Sequence, residues 1–537
     1  MPRSLFSTPV VTLVLALVVG LLYGRLGQHQ PIAFDDALYV TQNTWVLQGL
    51  TAKGALWAFT NADAANWHPL TWLSHMADQS AFAGHPGIQM LENAVWHLAN
   101  SVLVFLVLST FGLSRPMAAV LALVFAAHPL NVESVAWLSQ RKTQLSTCFL
   151  LATVLLYLRT PPGVKSGRRA WLLVLLFSLS LMAKATGVVL PAVLFVHEFL
   201  RWRRTPETPR RVWFITTVRR LAPLGLVAGV GAVVTFLAQQ GQGAVASMET
   251  LTLAHRVANA GSAIVTYLRT FAWPAELCLF YSMPAAPDWA AFLLGLLLLA
   301  IGALWAAAFL RRAPLMALGL AWFGLSLLPV IGLIQVGSQS HADRYMYLPM
   351  IGLLLFAGAW AETALRPDGI PLRPALLGLF AAFGVGMACH TAAYVPYWSN
   401  PETAYRRALA VGGSSYAITL NLAGALEDGG FYKSAETVNA LAARTWPNRA
   451  GAVGNYASSL ALRGKYAEAE VQYRRALALE PDNFKLHYLL GLVLIESNNP
   501  EAEVHLQAAR RLLPPDSEWR STNLEIRNIL LGRARPK

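Results

Sequence analysis

Apolar runs about the length of a membrane helix recur through the first three quarters of the chain. They lie near 9–24, 95–112, 116–130, 143–158, 170–184, 187–200, 221–238, 289–310, 315–334, 345–362 and 373–393. No other feature limits the fold so sharply. Backbone groups in lipid must bond within their own segment, which leaves helices as the element for such runs. Several are shorter than the roughly 20 residues of a straight span, so their ends are soft. A chain that is 55% hydrophobic and 13% charged, with mean hydropathy +0.45, excludes a soluble class. The net charge of +14 does not read as a nucleic-acid surface, because the basic residues gather in short connections and in the carboxyl-terminal region. Cys148, Cys278 and Cys389 sit in or beside apolar stretches at unrelated spacings and read as buried free thiols. The first run follows Arg3, and no small-x-small cleavage site follows it in Tyr23-Gly24-Arg25-Leu26, so it reads as a retained anchor.

Positive charge orients these runs. The connections 159–169 and 201–220 and the pair Arg311-Arg312 are rich in Lys and Arg and are expected on the cytoplasmic side. With the amino terminus also inside, seven spans bring the chain out at Gln239, and the span 289–310 returns it. The run 257–273 is then left without a crossing. With His255, Arg256, Asn259 and Arg269 in or beside it, and Trp273-Pro274 at its end, it suits a helix lying in the interface. About eleven spans result, which puts the carboxyl-terminal region outside. This folding gathers Asp35, Asp36, Asp63, Asp78, Glu92, Glu133, Glu249, Glu276, Asp288 and Asp343 at the outer surface. Glu207 and Asp368 are left inside.

Beyond about Trp398 the composition turns to soluble amphipathic helices. Trp446-Pro447, Glu480-Pro481 and Pro514-Pro515 recur about every 34 residues. Gly430-Phe431-Tyr432 matches Gly464-Lys465-Tyr466, Ala435 matches Ala469, and Ala442 matches Ala476. The alternation of small and large residues through 449–482, closed by Pro481, is that of a tetratricopeptide repeat. The expected organisation is all-α. A polytopic membrane domain (1–396) precedes a short helical solenoid (397–537) of about three repeats, a half-unit at 401–412 and a carboxyl-terminal capping helix. Such an array binds peptides or partner helices, or braces the membrane part.

The outer connections carry the chemistry. The first, roughly 25–94, holds the carboxylate pair Phe34-Asp35-Asp36, then Asn66-Trp67-His68-Pro69-Leu70-Thr71-Trp72, Ser74-His75, Asp78 and Glu92-Asn93. Trp57 and Trp72 also suit interfacial anchors. Asn93 and His97, four apart, share a helix face. The second reads His128-Pro129-Leu130-Asn131-Val132-Glu133-Ser134-Val135-Ala136-Trp137 and runs on to Gln140-Arg141-Lys142. Arg141 and Lys142 stand where they could meet phosphate oxygens. The last holds Ala342-Asp343-Arg344-Tyr345, with Arg344 free to bind a phosphate or pair with Asp343. Lys184 is a further cation between two runs. Carboxylates, cations and an interfacial helix on one face suit sugar transfer from a polyprenyl phosphate. The tail stays in lipid, the phosphate needs cations and the acceptor hydroxyl needs a base.

Phe34-Asp35-Asp36, Trp67-x-Pro69-Leu70-Thr71, Asn93-x-x-x-His97, His128-Pro129-x-x-Val132-Glu133-Ser134-Val135-Ala136-Trp137 and Ala342-Asp343-Arg344-Tyr345-x-Tyr347-Leu348-Pro349 resemble a known family. It comprises the bacterial relatives of the transmembrane and tetratricopeptide-repeat O-mannosyltransferases, C-type (GT-C) membrane glycosyltransferases. The chain departs from the family pattern at Met90, where a His is usual. It departs again at Gln140-Arg141-Lys142-Thr143, where Glu-Arg-Lys-Asp is usual.

The resemblance implies inverting transfer from a polyprenyl-phosphate sugar to a protein Ser or Thr hydroxyl, on the periplasmic face of the inner membrane. Asp35 would be the base, Asp36 its neighbour, and Glu133 a further acid. The pair Asp35 and Asp36 could hold a divalent cation, Mg or Mn. Arg344, Arg141, Lys142 and Lys184 would meet the donor phosphate. His68, Asn93, His97, His128, Asp343 and Tyr345 would line the acceptor or sugar pocket. Transfer to a glycolipid or cell-surface polymer is the alternative of the same class. A non-catalytic scaffold whose repeats recruit an envelope partner is the alternative of another class.

Overall fold

Helix is the regular element throughout the computed structural model, which describes residues 6–82, 84–160, 167–204, 208–241, 251–310, 313–334, 337–364 and 372–513. Among these the nearest approach to a strand is one antiparallel bridge between Ser282 and Gln339. Glu207, Glu249, Arg311-Arg312, Asp368, Pro514-Pro515 and the expected capping helix beyond them lie outside the described residues. The chain divides into two units, Met1–Arg407 and Ala408–Lys537.

The first unit begins with α1 (Thr8–Tyr23), a group of short helices in the first long connection, α2 (Thr44–Leu47), α3 (Ala52–Thr60) and α4 (Pro69–Phe82), and the long α5 (Pro86–Phe111). It continues through α6 (Arg115–Ala127), α7 (Val132–Ala136), α8 (Arg141–Leu158), α9 (Gly167–Ala183), α10 (Leu190–Arg204) and α11 (Arg210–Gly241). Then follow α12 (Leu253–Ala272), α13 (Trp289–Phe309), α14 (Pro314–Leu327), α15 (Pro349–Ala364) and α16 (Leu372–Tyr394), and α17 (Pro401–Val411) runs across the boundary at Arg407.

Packing separates lipid-like faces from protein-facing ones. On α1, Val11, Leu15, Val19 and Tyr23 are buried at a spacing of four, while Leu17 and Leu21 on the other side are 58% and 85% exposed. On α5 the buried stripe is polar instead: Gln89, Asn93, His97, Asn100 and Ser101 face the bundle interior. Polar residues placed this way within an apolar helix mark where hydrogen bonds or function are concentrated. Gly319 on α14 and Gly352 on α15 let two backbones touch. A Cβ on Gly319 would lie 2.6 Å from the Gly352 carbonyl oxygen, so no larger residue fits.

Six stretches among the described residues are long and apolar enough to cross a membrane: Thr8–Gln28, Pro86–Phe111, Ala185–Arg204, Arg210–Gly241, Trp289–Ala308 and Ala375–Trp398. A seventh results if Arg115–Ala127 and Pro129–Ala136, bent by 53° where Pro129 withholds an amide, form one span. This is fewer than the eleven or so expected. The run near 143–158 belongs to α8, which opens on Arg141, Lys142, Thr143 and Gln144, all buried. The run near 170–184 is the 17-residue α9, which opens on Arg168-Arg169. The runs at 315–334 and 345–362 shrink to helices of 14 and 16 residues. With six or seven crossings, parity no longer places the carboxyl-terminal region outside. The helix expected in the interface is α12, which does not count as a span. One face of it is buried through Asn259, Ala263 and Tyr267, while Leu253 on the other is exposed. All three cysteines are free, but only Cys278 is buried: Cys148 is partly exposed and Cys389 exposed.

The second unit stacks helix pairs: α18 (Tyr416–Asp428) with α19 (Tyr432–Thr445), α20 (Ala450–Leu462) with α21 (Tyr466–Leu479), and α22 (Phe484–Glu496) with α23 (Ala502–Leu512). Each pair turns on a residue of positive φ: Gly430 (78°), Gly464 (73°) and Asn498 (53°). Asn is the side chain that best tolerates the left-handed region, which is why it can replace the third glycine. Ala435, Ala442, Ala469 and Ala476 are fully buried where the helices of a pair approach.

Candidate functional site

Two connections and a helix break bring the charged residues together. One of these, the second outer connection, follows α6. His128 ends that helix, accepts the Leu130 amide on Nδ1 and donates from Nε2 to the Phe271 carbonyl over 2.9 Å. Its ring is stacked on Phe271. The chain then passes through α7 to Trp137, and Asn93 Nδ2 donates to the Trp137 and Leu138 carbonyls. Asp36 reaches the same turn from the first connection. Its Oδ1 accepts the Ser139 amide over 2.8 Å, and its Oδ2 accepts the Ile32 amide over 2.7 Å.

The other is the last outer connection, 337–346. Asn259 on α12 donates to the Ser340 carbonyl, and Tyr281 donates to Asp343 Oδ1 over 2.9 Å. Arg344 is thereby presented to Glu133. Its backbone amide donates to Glu133 Oε2 over 2.6 Å, and its guanidinium pairs with Oε1. The guanidinium also lies over the rings of Trp137 and Tyr345.

The break between α9 and α10 places Lys184, which is held in extended conformation. Thr71 donates to the Ala183 carbonyl and Ser146 to that of Lys184. The Lys184 ammonium donates to Thr143 Oγ1 over 2.9 Å, and Thr143 donates in turn to Gln140 Oε1.

Lys184 and Arg344 line one small pocket, together with Thr143, Thr147, Tyr345 and Tyr347. Beside it, Lys142 pairs with Asp35 at 3.3 Å and lies over the Tyr39 ring at 4.0 Å. The charges of Lys142, Lys184 and Arg344 act on one another and on Asp35. Three basic side chains, Lys142, Lys184 and Arg344, thus face the two carboxyl groups of Asp35 and Glu133, and burial, followed by the charges of Lys142 and Arg344, pulls the Lys184 ammonium well below its ordinary range. An anionic ligand beside Lys184 would stabilise its charged form.

The first connection contributes two further titratable groups. Burial, more than the neighbouring charge of Asp35, pushes the Asp36 carboxyl up to about 7, although both its amide donors pull the other way. Burial, and after it the charges of Lys142 and Lys184, hold the His68 imidazole well below its ordinary range. His68 is therefore neutral, with Nδ1 3.3 Å from the Tyr39 hydroxyl. Asp343 is lifted well above the carboxylate range, first by burial and then by the charge of Glu133.

Several expected roles do not fit these positions. Arg141 is fully buried and saturated by Asp78, Glu92, Ser74, Asn93 and the Gln89 carbonyl, so no phosphate can reach it. Asn93 and His128 are taken up by the backbone bonds above. His97 donates from Nε2 to the Ala126 carbonyl, with Nδ1 2.8 Å from the Tyr347 hydroxyl, and Asn93, His97 and His128 are all buried without lining the pocket. Glu133 is enclosed by Arg344 and serves to hold it, and Arg344 pairs with Glu133 rather than with Asp343. Asp36 has both oxygens bonded to amides, so a cation would find only Asp35, itself paired with Lys142. The pair does not fit a divalent metal, and among the described residues no group of three or more His, Cys, Asp or Glu gathers as ligands. Trp72 is no interfacial anchor but fully buried, stacked on Tyr39.

Asp35, Lys142, Lys184, Arg344 and Tyr345 do come together, with His68 next to Lys142. Sequence reasoning names Thr143 and Trp137 only as members of motifs, without a site role, and does not name Thr147 at all. The signal for the two threonines was the polar run Thr143-Gln144…Ser146-Thr147 inside an otherwise apolar helix.

Residues 457–497, which run from the middle of α20 to the end of α22, match the TPR repeat family. No curated protein matches the chain.

Proposed function

We propose that the protein is an integral-membrane glycosyltransferase that moves a sugar from a polyprenyl-phosphate donor to a Ser or Thr hydroxyl of a protein, on the outer face of the inner membrane. The observation that carries this reading is the cavity lined by Lys184 and Arg344, with the half-buried carboxylate of Asp35 close enough to interact with both cations. Asp35 accepts the proton of the acceptor hydroxyl as its oxygen attacks the anomeric carbon. The bond from that carbon to the phosphate oxygen breaks with inversion. The departing polyprenyl phosphate takes the electron pair, and Lys184 and Arg344 hold the charge that develops on it. Lys142 pairs with Asp35 and holds its carboxyl group in place, and Glu133 fixes the plane of the guanidinium. Neutral His68 offers hydrogen bonds near Lys142 without adding charge. The helical repeats supply a surface for a protein acceptor.

The test is transfer by the purified protein, in lipid nanodiscs, from a polyprenyl-phosphate sugar to a peptide pool, with mass spectrometry of the products. Transfer by the wild type that Asp35→Asn abolishes supports the reading, and equal transfer by both overturns it. Comparing envelope proteins with glycolipids, with and without the protein, separates a protein acceptor from a glycolipid or polymer. The match to the repeat family favours one second reading, a membrane scaffold that recruits a partner through its repeats. That reading expects full function from Asp35→Asn and none after deletion of the repeats.

A further inference from the structure

The charged residues described so far lie at one end of α8, α9 and α10. Lys142 and Thr143 open α8, and Lys184 follows the last residue of α9. The opposite ends of these helices, about 25 Å away by helix length, have another composition. Three short segments there interleave arginine with aromatic residues: Arg168-Arg169-Ala170-Trp171 on α9, Arg201-Trp202-Arg203-Arg204 on α10, and Arg210-Arg211-Val212-Trp213-Phe214 on α11.

A polar knot ties the ends of α8 and α10 to α11. Glu198 Oε1 accepts from the Tyr157 hydroxyl over 2.8 Å and from Arg220 Nη1 over 2.9 Å. The Arg220 guanidinium lies 4.0 Å over the Tyr157 ring and also donates to the Tyr157 and Thr160 carbonyls at the end of α8. Arg201 takes the other oxygen of Glu198 at 3.7 Å. Trp202 and Trp213 stack at 5.0 Å across the corner between α10 and α11, and Trp202 Nε1 donates to the Thr208 carbonyl. The corner is therefore built, with its one described carboxylate fully engaged.

Around this knot Arg203, Arg204, Arg210 and Arg211 are exposed, and so is Arg168. Trp171, three residues after Arg168, and Phe214, three after Arg211, are exposed at 63% and 50%. In the whole stretch 159–220 the sequence offers only Glu198 and Glu207 against these cations. Exposed arginines present forks that match phosphate oxygens, and aromatic rings beside them prefer the headgroup level of a bilayer. Helices of membrane-spanning character run away from the corner on the other side.

We infer that the α9–α10–α11 corner binds the headgroups of anionic phospholipids, at the end of the bundle opposite the cavity. The arginines hold the lipid phosphates, and the Trp202–Trp213 stack with Trp171 and Phe214 sets the depth at which they meet them. Each arginine adds attraction to a negatively charged leaflet, and the sum weakens with salt. The inference does not depend on the sugar-transfer reading.

Native mass spectrometry of the full-length protein in mild detergent tests it, after incubation with equal amounts of phosphatidylglycerol and phosphatidylcholine. The wild type is expected to retain phosphatidylglycerol at least about tenfold in preference. The variant R203Q/R204Q/R210Q/R211Q, which leaves the Glu198 knot intact, is expected to lose that preference while keeping the wild-type unfolding temperature. R463Q/R474Q, which removes two cations from the second unit, is expected to keep the preference. Equal retention of both lipids by the wild type overturns the inference, as does an unchanged preference in the quadruple variant. Loss of preference in R463Q/R474Q would reduce it to bulk charge. Complete displacement of the lipid by millimolar glycerol 1-phosphate would make the corner a site for free phosphate and overturn it equally.

Discussion

Lys184 donates a hydrogen bond to Thr143 Oγ1 over 2.9 Å, and no carboxylate lies within ion-pair distance of its ammonium among the described residues. Thr143 and Gln140 form an uncharged relay that positions the Lys184 side chain. Thr143→Val keeps the volume and removes the acceptor. A hydrogen bond to a charged group is worth about 1.5–3 kcal/mol. The variant is expected to raise KM for the lipid-phosphate donor about tenfold with a smaller change in kcat, measured in the nanodisc transfer assay. Lys184→Met should cost more than Thr143→Val in kcat/KM. The reverse order would remove Lys184 from the donor site.

Asp35 and Asp36 are neighbours with opposite surroundings. Asp35 is one-third exposed and paired with Lys142, whereas Asp36 is buried between two amides. Asp35→Asn is expected to lower transfer by roughly 10²–10⁴-fold, the range for loss of a general base, with the unfolding temperature unchanged. Asp36→Asn sets an NH2 against one of those amides and is expected to destabilise the protein by about 1–3 kcal/mol. Its residual transfer should follow the folded fraction. Equal loss of transfer by folded protein in both variants would show that the division of roles is mistaken.

The Asp36 carboxyl also makes a prediction about pH. Its folded pKa is raised to about 7 from an ordinary 3.8, so the folded protein keeps a proton that the unfolded chain releases. Stability from this group is fully present below about pH 4 and is lost as pH rises toward 7, by up to about 1.4 kcal/mol per unit. Above that it is level. The difference in unfolding free energy between the wild type and Asp36→Asn, measured from pH 4.5 to 8.5, should shrink up to about 7 and then stay constant. A pH-independent difference would place an ionised Asp36 in the folded state throughout.

How much of this was legible in the sequence depends on whether a property belongs to a segment or to its neighbours. The period of about 34 residues in the second unit is local, and the turns at Gly430, Gly464 and Asn498 follow from it. The segment Ala342-Asp343-Arg344-Tyr345 was also legible, and it delivers Arg344 to the cavity. The number of crossings was not, because an apolar side chain buried against protein reads like one facing lipid. Nor was the division between Arg141 and Lys142. Successive residues on a helix point about 100° apart, and no local rule says which direction holds Asp78 and Glu92 and which holds Asp35. Arg141→Met is accordingly expected to destabilise the fold, by about 3–5 kcal/mol, through the carboxylates it leaves unpaired. KM for the donor in the protein that remains folded should not change.

Glu133 and Arg344 give the sharpest test, because a buried pair can be distinguished from two independent groups. Glu133 is fully buried, and its two oxygens meet the backbone amide and the guanidinium of Arg344. Removing either partner leaves the other charged and unpaired, at a cost of about 3–5 kcal/mol. Removing both relieves that penalty. In a double-mutant cycle of Glu133→Gln and Arg344→Met, followed by unfolding in detergent, the double variant should be less destabilised than the two single variants added together. A coupling of at least about 1.5 kcal/mol is expected for a close charged pair. In transfer kinetics Glu133→Gln should raise donor KM as a weaker form of Arg344→Met, because it loosens the fork without removing it. If Glu133→Gln instead abolished kcat and left donor KM unchanged, Glu133 would be acting on the acceptor, and its enclosure by Arg344 would have to open during the reaction.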